Sequence, residues 1–176
     1  MDTERRQNFR GLISALKLID QWNTRVLISV SGCALILITL SFVTEVFLRY
    51  FFGSPTDWVN DLVRYLLPVV IFGTAPYVVR VGSHVSIDYL ESLLSGVSRV
   101  LLHSFVLVAA MSICLVTGAI VLAEAHRQFE RGIYTVGTQS VPKWWITSVI
   151  ATGFLSMAFS YMTHLLGAVL GEARDQ

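Results

Sequence analysis

Charge is what this sequence has least of. Of its 176 residues, 14% are Asp, Glu, Lys or Arg, against roughly 25% in an ordinary soluble domain, which excludes a fold of that kind. The charges nearly cancel, 13 basic against 12 acidic for a net +1, so no general field draws nucleic acid. Cysteine is almost missing. Cys33 and Cys114 both sit inside apolar runs and have neither CxxC nor metal-ligand spacing, which excludes a redox motif or a zinc site and leaves them as small packing residues. The alternation of a barrel strand is absent too, because the long runs are apolar on every face. The first residues, MDTERRQNFR, are too polar for a signal peptide, and the first apolar run is too long for an h-region, so no cleaved leader is expected.

Long apolar segments are abundant. About 20 apolar residues cross the ~30 Å of bilayer hydrocarbon. Val26 to Thr44, Val100 to Ala123 and Trp144 to Gly171 are free of Asp, Glu, Lys and Arg. Tyr65 to Val79 is shorter and spans only if its helix continues past Arg64 and Arg80, whose long side chains snorkel. The sequence therefore predicts an all-α integral membrane protein, one membrane domain over 1–176, with four transmembrane helices at 26–52, 58–81, 97–125 and 143–171.

Two amphipathic segments flank these spans. In residues 8–25, Arg10, Ser14, Lys17, Gln21 and Thr24 recur at steps of three and four between apolar positions. This predicts an N-terminal interfacial helix lying in the headgroup plane, held by Arg10, Lys17, Trp22 and Arg25. In residues 86–95, Ile87, Leu90, Leu93 and Leu94 oppose Asp88, Glu91, Ser92 and Ser95, predicting a short amphipathic helix on the cytoplasmic side between spans two and three. His84 and Asp88, four apart, are read as orienting that helix; they lack the further ligands a metal site needs. Eight basic residues fall on the side of the termini and five on the other, which places both termini in the cytoplasm.

The turn between the first two spans concentrates charge. In TEVFLRYFFGSPTDWVNDLVRYLL, Glu45 and Arg49 are four apart and Asp61 and Arg64 three apart, so each pair meets on its helix. Gly53, Ser54 and Pro55 break the first helix, and Thr56 or Asp57 caps the second. Tyr50, Trp58 and Tyr65 belong at the membrane interface. These residues form a structural polar cluster or a partner interface; snorkelling flanks are the bland alternative. Ser and Thr inside the spans, Ser31, Ser41 and Ser156 among them, bond backbone carbonyls or neighbouring helices, and Gly118, Gly153 and Gly167 permit close approach. Pro68 and Pro76 are expected to kink the second span. No span carries a mid-depth acidic cluster or the paired helix breaks of a midplane substrate site, and no catalytic constellation is present, so neither an enzyme nor a carrier acting alone is expected.

Read in order, Glu45-x-Phe47-x-Arg49-Tyr50, Trp58-x-x-Asp61-Leu62-x-Arg64-Tyr65, Gly73, Arg80-x-Gly82-x-His84-Val85-x-Ile87-Asp88 and, more faintly, Val141-Pro142-Lys143-Trp144 and Gly153-Phe154 resemble the small, DctQ-like membrane subunit of tripartite ATP-independent periplasmic (TRAP) transporters. The resemblance covers nearly the whole chain. It departs at Asp61, where the family more often has Glu, and at Pro76, where an ordinary helix former is expected. It implies a non-catalytic subunit in the bacterial inner membrane. That subunit packs beside the scaffold of a large permease, which imports organic acids with a sodium gradient after delivery by a periplasmic binding protein. No cofactor is implied. Two other readings stand beside it. One is a redox anchor holding haem between histidines on facing helices, for which only His103 and His164 share a depth. The other is a stand-alone small carrier.

Overall fold

The computed structural model describes residues 2–54, 56, 58–81, 97–135 and 140–172. They form four helices, α1 (Asp2–Phe52), α2 (Trp58–Val81), α3 (Val97–Glu130) and α4 (Lys143–Glu172). Each contains a stretch long and apolar enough to cross a membrane. Gly82, His84, Asp88 and the whole segment 86–95 lie outside the described residues, as does the side chain of Arg10.

Helix α1 runs unbroken for 51 residues, about 77 Å at a rise of ~1.5 Å per residue. The 25/26 boundary between an interfacial helix and the first span is therefore not a break in the backbone. Its packing face is set by steps of four and three: Asp20, Thr24, Leu27, Ser31, Ala34, Ile38, Ser41, Glu45 and Leu48 are buried or half-buried. This is a heptad seam made mostly of small and polar side chains. The large apolar residues of α1, Ile36, Leu40, Val43 and Phe47 among them, point outward. Lipid tails are as apolar as Leu, so interhelical contact in a membrane depends on close packing and hydrogen bonds instead. Hydroxyls away from the seam bond their own helix, as Ser29 does to the Arg25 carbonyl and Thr39 to that of Leu35.

The helices are not arranged as a closed bundle. Helix α4 touches α1, α2 and α3, and α1 packs on α2. Among the described residues, no Cα of α2 comes within 8 Å of one in α3, nor does α1 approach α3 that closely. Helix α3 thus docks on one flank of α4, with α1 and α2 on another.

Glycines mark the crossing points. A Cβ on Gly73 of α2 would stand 2.1 Å from Ser31 Oγ of α1, and Ser31 Oγ donates to the Val69 carbonyl at 3.0 Å as well as to that of Leu27. A Cβ on Gly153 of α4 would stand 2.7 Å from the Phe72 carbonyl oxygen. Pro76 has no N–H to donate to that carbonyl four residues before it. Pro76 lies buried within α2, which continues through Pro68 and Pro76 to Val81. The proline thus leaves that carbonyl without its usual helical donor, on the buried face where Gly153 of α4 packs against it. Phe72 and Phe154 then stack obliquely at 5.3 Å.

Candidate functional site

The charged hairpin closes as a cap. Gly53 takes φ 61°, a left-handed conformation that ends a helix at little cost in glycine, and Ser54 N–H returns to the Leu48 carbonyl. Glu45, about two turns before the helix end at Phe52, receives the chain coming back. Its Oε2 accepts the Thr56 N–H at 3.0 Å and also the Thr56 hydroxyl, while its Oε1 accepts from Arg49 Nη2 at 2.7 Å. Three donor atoms, two of Thr56 and one of Arg49, are held by one carboxylate, which satisfies charge and donors together.

The four charges divide by sign. The carboxylate side chains of Glu45 and Asp61 are 9% and 10% exposed, whereas Arg49 and Arg64 are 58% and 71% exposed. Both acids thus face the protein and both guanidinium groups face out. Arg64 sits a loose 3.8 Å from Asp61. The two Arg-Tyr pairs are not equivalent. Tyr50 is 81% exposed beside an apolar outer face with Phe51 and Phe52. Tyr65 turns inward, and its hydroxyl meets Thr135 Oγ1 at 3.0 Å. Thr135 Oγ1 also bonds the Val141 carbonyl and accepts the Val141 N–H, so the loop between α3 and α4 is tied to α2 through one threonine. Trp58 is exposed at the start of α2 and Arg80 half-exposed near its end.

Lower in the same end of the protein, Gln128 joins α3 to α4. It is buried, donates to Glu124 Oε1 at 3.0 Å and accepts from the Thr147 hydroxyl at 2.8 Å. Arg127 completes the pair with Glu124. His126 lies 3.3 Å from Glu130 on the exposed side of α3.

A second polar cluster lies at the opposite end, where sequence reasoning assigned nothing to Asp20. Asp20 is 3% exposed and Ser160 0%; Ser160 Oγ donates to Asp20 Oδ1 at 2.7 Å. One turn on, Asn23 Nδ2 donates to Ser156 Oγ at 3.1 Å. Thr24, expected on the outward polar stripe with Lys17, is buried instead. Lys17, Trp22 and Arg25 remain exposed. The signal for this cluster was the four-and-three spacing that runs from Asp20 to Glu45. It is hidden because the stripe from Arg10 to Thr24 has nearly the same period and reads as a solvent face.

The capped hairpin, the end of α1 and the other three helices fall in a segment that matches a known family. The family model described as Tripartite ATP-independent periplasmic transporters, DctQ component, matches residues 38–171. Asp20, Asn23 and Thr24 precede the matched segment, while Ser156 and Ser160 lie within it. No curated protein matches the chain. The match covers well over half of the sequence, from the lower half of α1 to the end of α4, and includes every residue of the charged hairpin: the chain belongs to the DctQ component family of the tripartite ATP-independent periplasmic transporters.

Proposed function

We propose that this chain is the small, non-catalytic permease subunit of a sodium-driven transporter in the bacterial inner membrane, importing organic acids delivered by a periplasmic binding protein. It packs against the fixed scaffold of the large permease subunit and steadies it. The observation that carries this reading, besides the family match, is the outward-facing apolar surface of an open helix layer. Ile36, Leu40, Val43 and Phe47 of α1 form an unbroken outer stripe that continues to the exposed Arg49 and Tyr50. That face is open to a membrane partner as well as to lipid, and the arginine at its rim gives a partner a charged group to meet. In the hairpin, Glu45 and Asp61 act within the chain, and Arg49, Tyr50, Trp58 and Arg64 form the outward corner. On the cytoplasmic side, Arg10, Lys17, Trp22 and Arg25 meet the headgroups, with both termini in that compartment.

The test is capture of the tagged chain from its native membranes in mild detergent, followed by mass spectrometry. A large polytopic permease in near-equal amount is expected, and Arg49→Ala is expected to lower its yield. A chain that purifies alone, colourless and intact, overturns the reading. A membrane-impermeant label applied from the periplasm and reaching a cysteine placed at Lys17 overturns the orientation.

A further inference from the structure

An open cavity of about 330 Å³ lies at the hairpin end, lined by Arg64 and Tyr65 of α2, Ile133 and Tyr134 of the α3–α4 loop, and Lys143 and Ile146 of α4. Two cations face it from different helices. Asp61 is tucked beneath Arg64, and Glu124 is held by Arg127 while also feeling the charge of Lys143, so three cations stand against two carboxylates. Arg64 and Lys143 thus give the cavity a positive excess. Lys143 is also the first residue of α4; its own N–H is taken by the Ile133 carbonyl and that of Trp145 by the Pro142 carbonyl, so it is the dipole of a 30-residue helix that adds to that field. Thr135 also lines the cavity, tied to the Tyr65 hydroxyl.

Beyond the cavity, apolar side chains continue along α4. Ile146 lines the cavity, and steps of four along α4 put Ile150 and Phe154 on the same face. Ile150 is half-buried. Phe154 lies at the meeting of three helices: its ring is 5.3 Å from Phe72 of α2, and its Cβ lies beneath Gly118 of α3. Because α2 and α3 do not come together among the described residues, the strip from Ile146 to Phe154, about 12 Å long at ~1.5 Å per residue, is the floor of a groove between them.

We infer that this cavity and groove form a binding site for an anionic phospholipid, its phosphate between Arg64 and Lys143 and one acyl chain along Ile146, Ile150 and Phe154. A cationic mouth above an apolar channel matches both parts of such a molecule, whereas free phosphate would use only the mouth and a partner's carboxylate would leave the channel unfilled. The lipid then fills the gap that the open helix layer leaves between α2 and α3.

The purified full chain tests this without any partner present, so the outcome is independent of the assembly proposed above. Native mass spectrometry with added phosphatidylglycerol is compared with phosphatidylcholine. Phosphatidylglycerol is expected to bind preferentially, and Arg64→Gln and Lys143→Gln each to weaken it about fivefold, the usual worth of one basic residue near an anionic lipid. Ile150→Trp, which blocks the groove and leaves both cations, is expected to weaken it as well, and stands as the test by itself if the charge variants fail to fold. Inorganic phosphate at equal concentration is expected to leave the bound lipid in place. The inference is overturned if the double charge variant or Ile150→Trp, folded, holds phosphatidylglycerol like the parent chain, or if phosphate alone displaces it.

Discussion

Ser160 Oγ donates to Asp20 Oδ1 at 2.7 Å, both groups all but closed to solvent, and this bond fixes the upper part of α1 to α4 across 140 residues of sequence. A carboxylate held this way is costly to leave unpaired. Ser160→Ala is expected to destabilise the chain by about 1–2 kcal/mol, the upper end of interhelical hydrogen bonds measured in membranes. Asp20→Asn, which keeps an acceptor oxygen, is expected to lose less. Unfolding of the purified chain in increasing denaturing detergent measures both, and equal losses for the two variants would show that the charge, not the bond, matters.

The glycine crossings predict an order of damage. Gly153→Ala places a methyl against the Phe72 backbone, which has nowhere to go, and is expected to cost about 1–3 kcal/mol through overpacking. Gly73→Ala meets first the tip of the Ser31 side chain, which can rotate, although the Leu27 carbonyl also stands 3.2 Å away, so its loss should be smaller. Gly32→Ala has open space around it and should be neutral. Thermal unfolding in one detergent ranks the three; a Gly32→Ala loss matching Gly153→Ala would contradict the packing described.

In the hairpin, the cap and the exposed cation separate. Thr56→Ala removes a hydroxyl donor to Glu45 and is expected to lower stability by about 1 kcal/mol. Arg49→Ala removes a mostly exposed partner and should change stability by less than that, while reducing capture of the large permease. Measuring both properties on both variants distinguishes a cap from a docking group. If Arg49→Ala unfolds the hairpin as Thr56→Ala does, the outward corner has no separate role.

At the loop between α3 and α4, Thr135→Val strips three hydrogen bonds and Tyr65→Phe strips the one between them. The threonine change should therefore lower protection of the loop against a protease more than the tyrosine change does. Limited proteolysis from the hairpin side reads the difference directly.

The sequence by itself determined the number of spans, the turn at Gly53, the intrahelical pairs of Glu45 with Arg49 and Asp61 with Arg64, and the family. These follow from local quantities: the length of apolar runs, glycine's access to positive φ, and three- and four-residue spacing on a helix. Tertiary structure alone decided which helices touch. Thr24 looks like a residue of a solvent stripe, and Asp20 carries no assignment at all, until Ser160 and Ser156 of α4 come to face that part of α1. Pro76 looks like a departure until Gly153 meets the carbonyl it leaves free. Likewise Arg64 and Lys143, 79 positions apart in the chain, share one cavity only because α4 carries α2 and α3 on separate flanks. In a membrane the apolar pattern is spent on lipid and says little about which faces pack, so the contacts that distinguish this chain rest on small and polar residues whose partners lie far away in sequence.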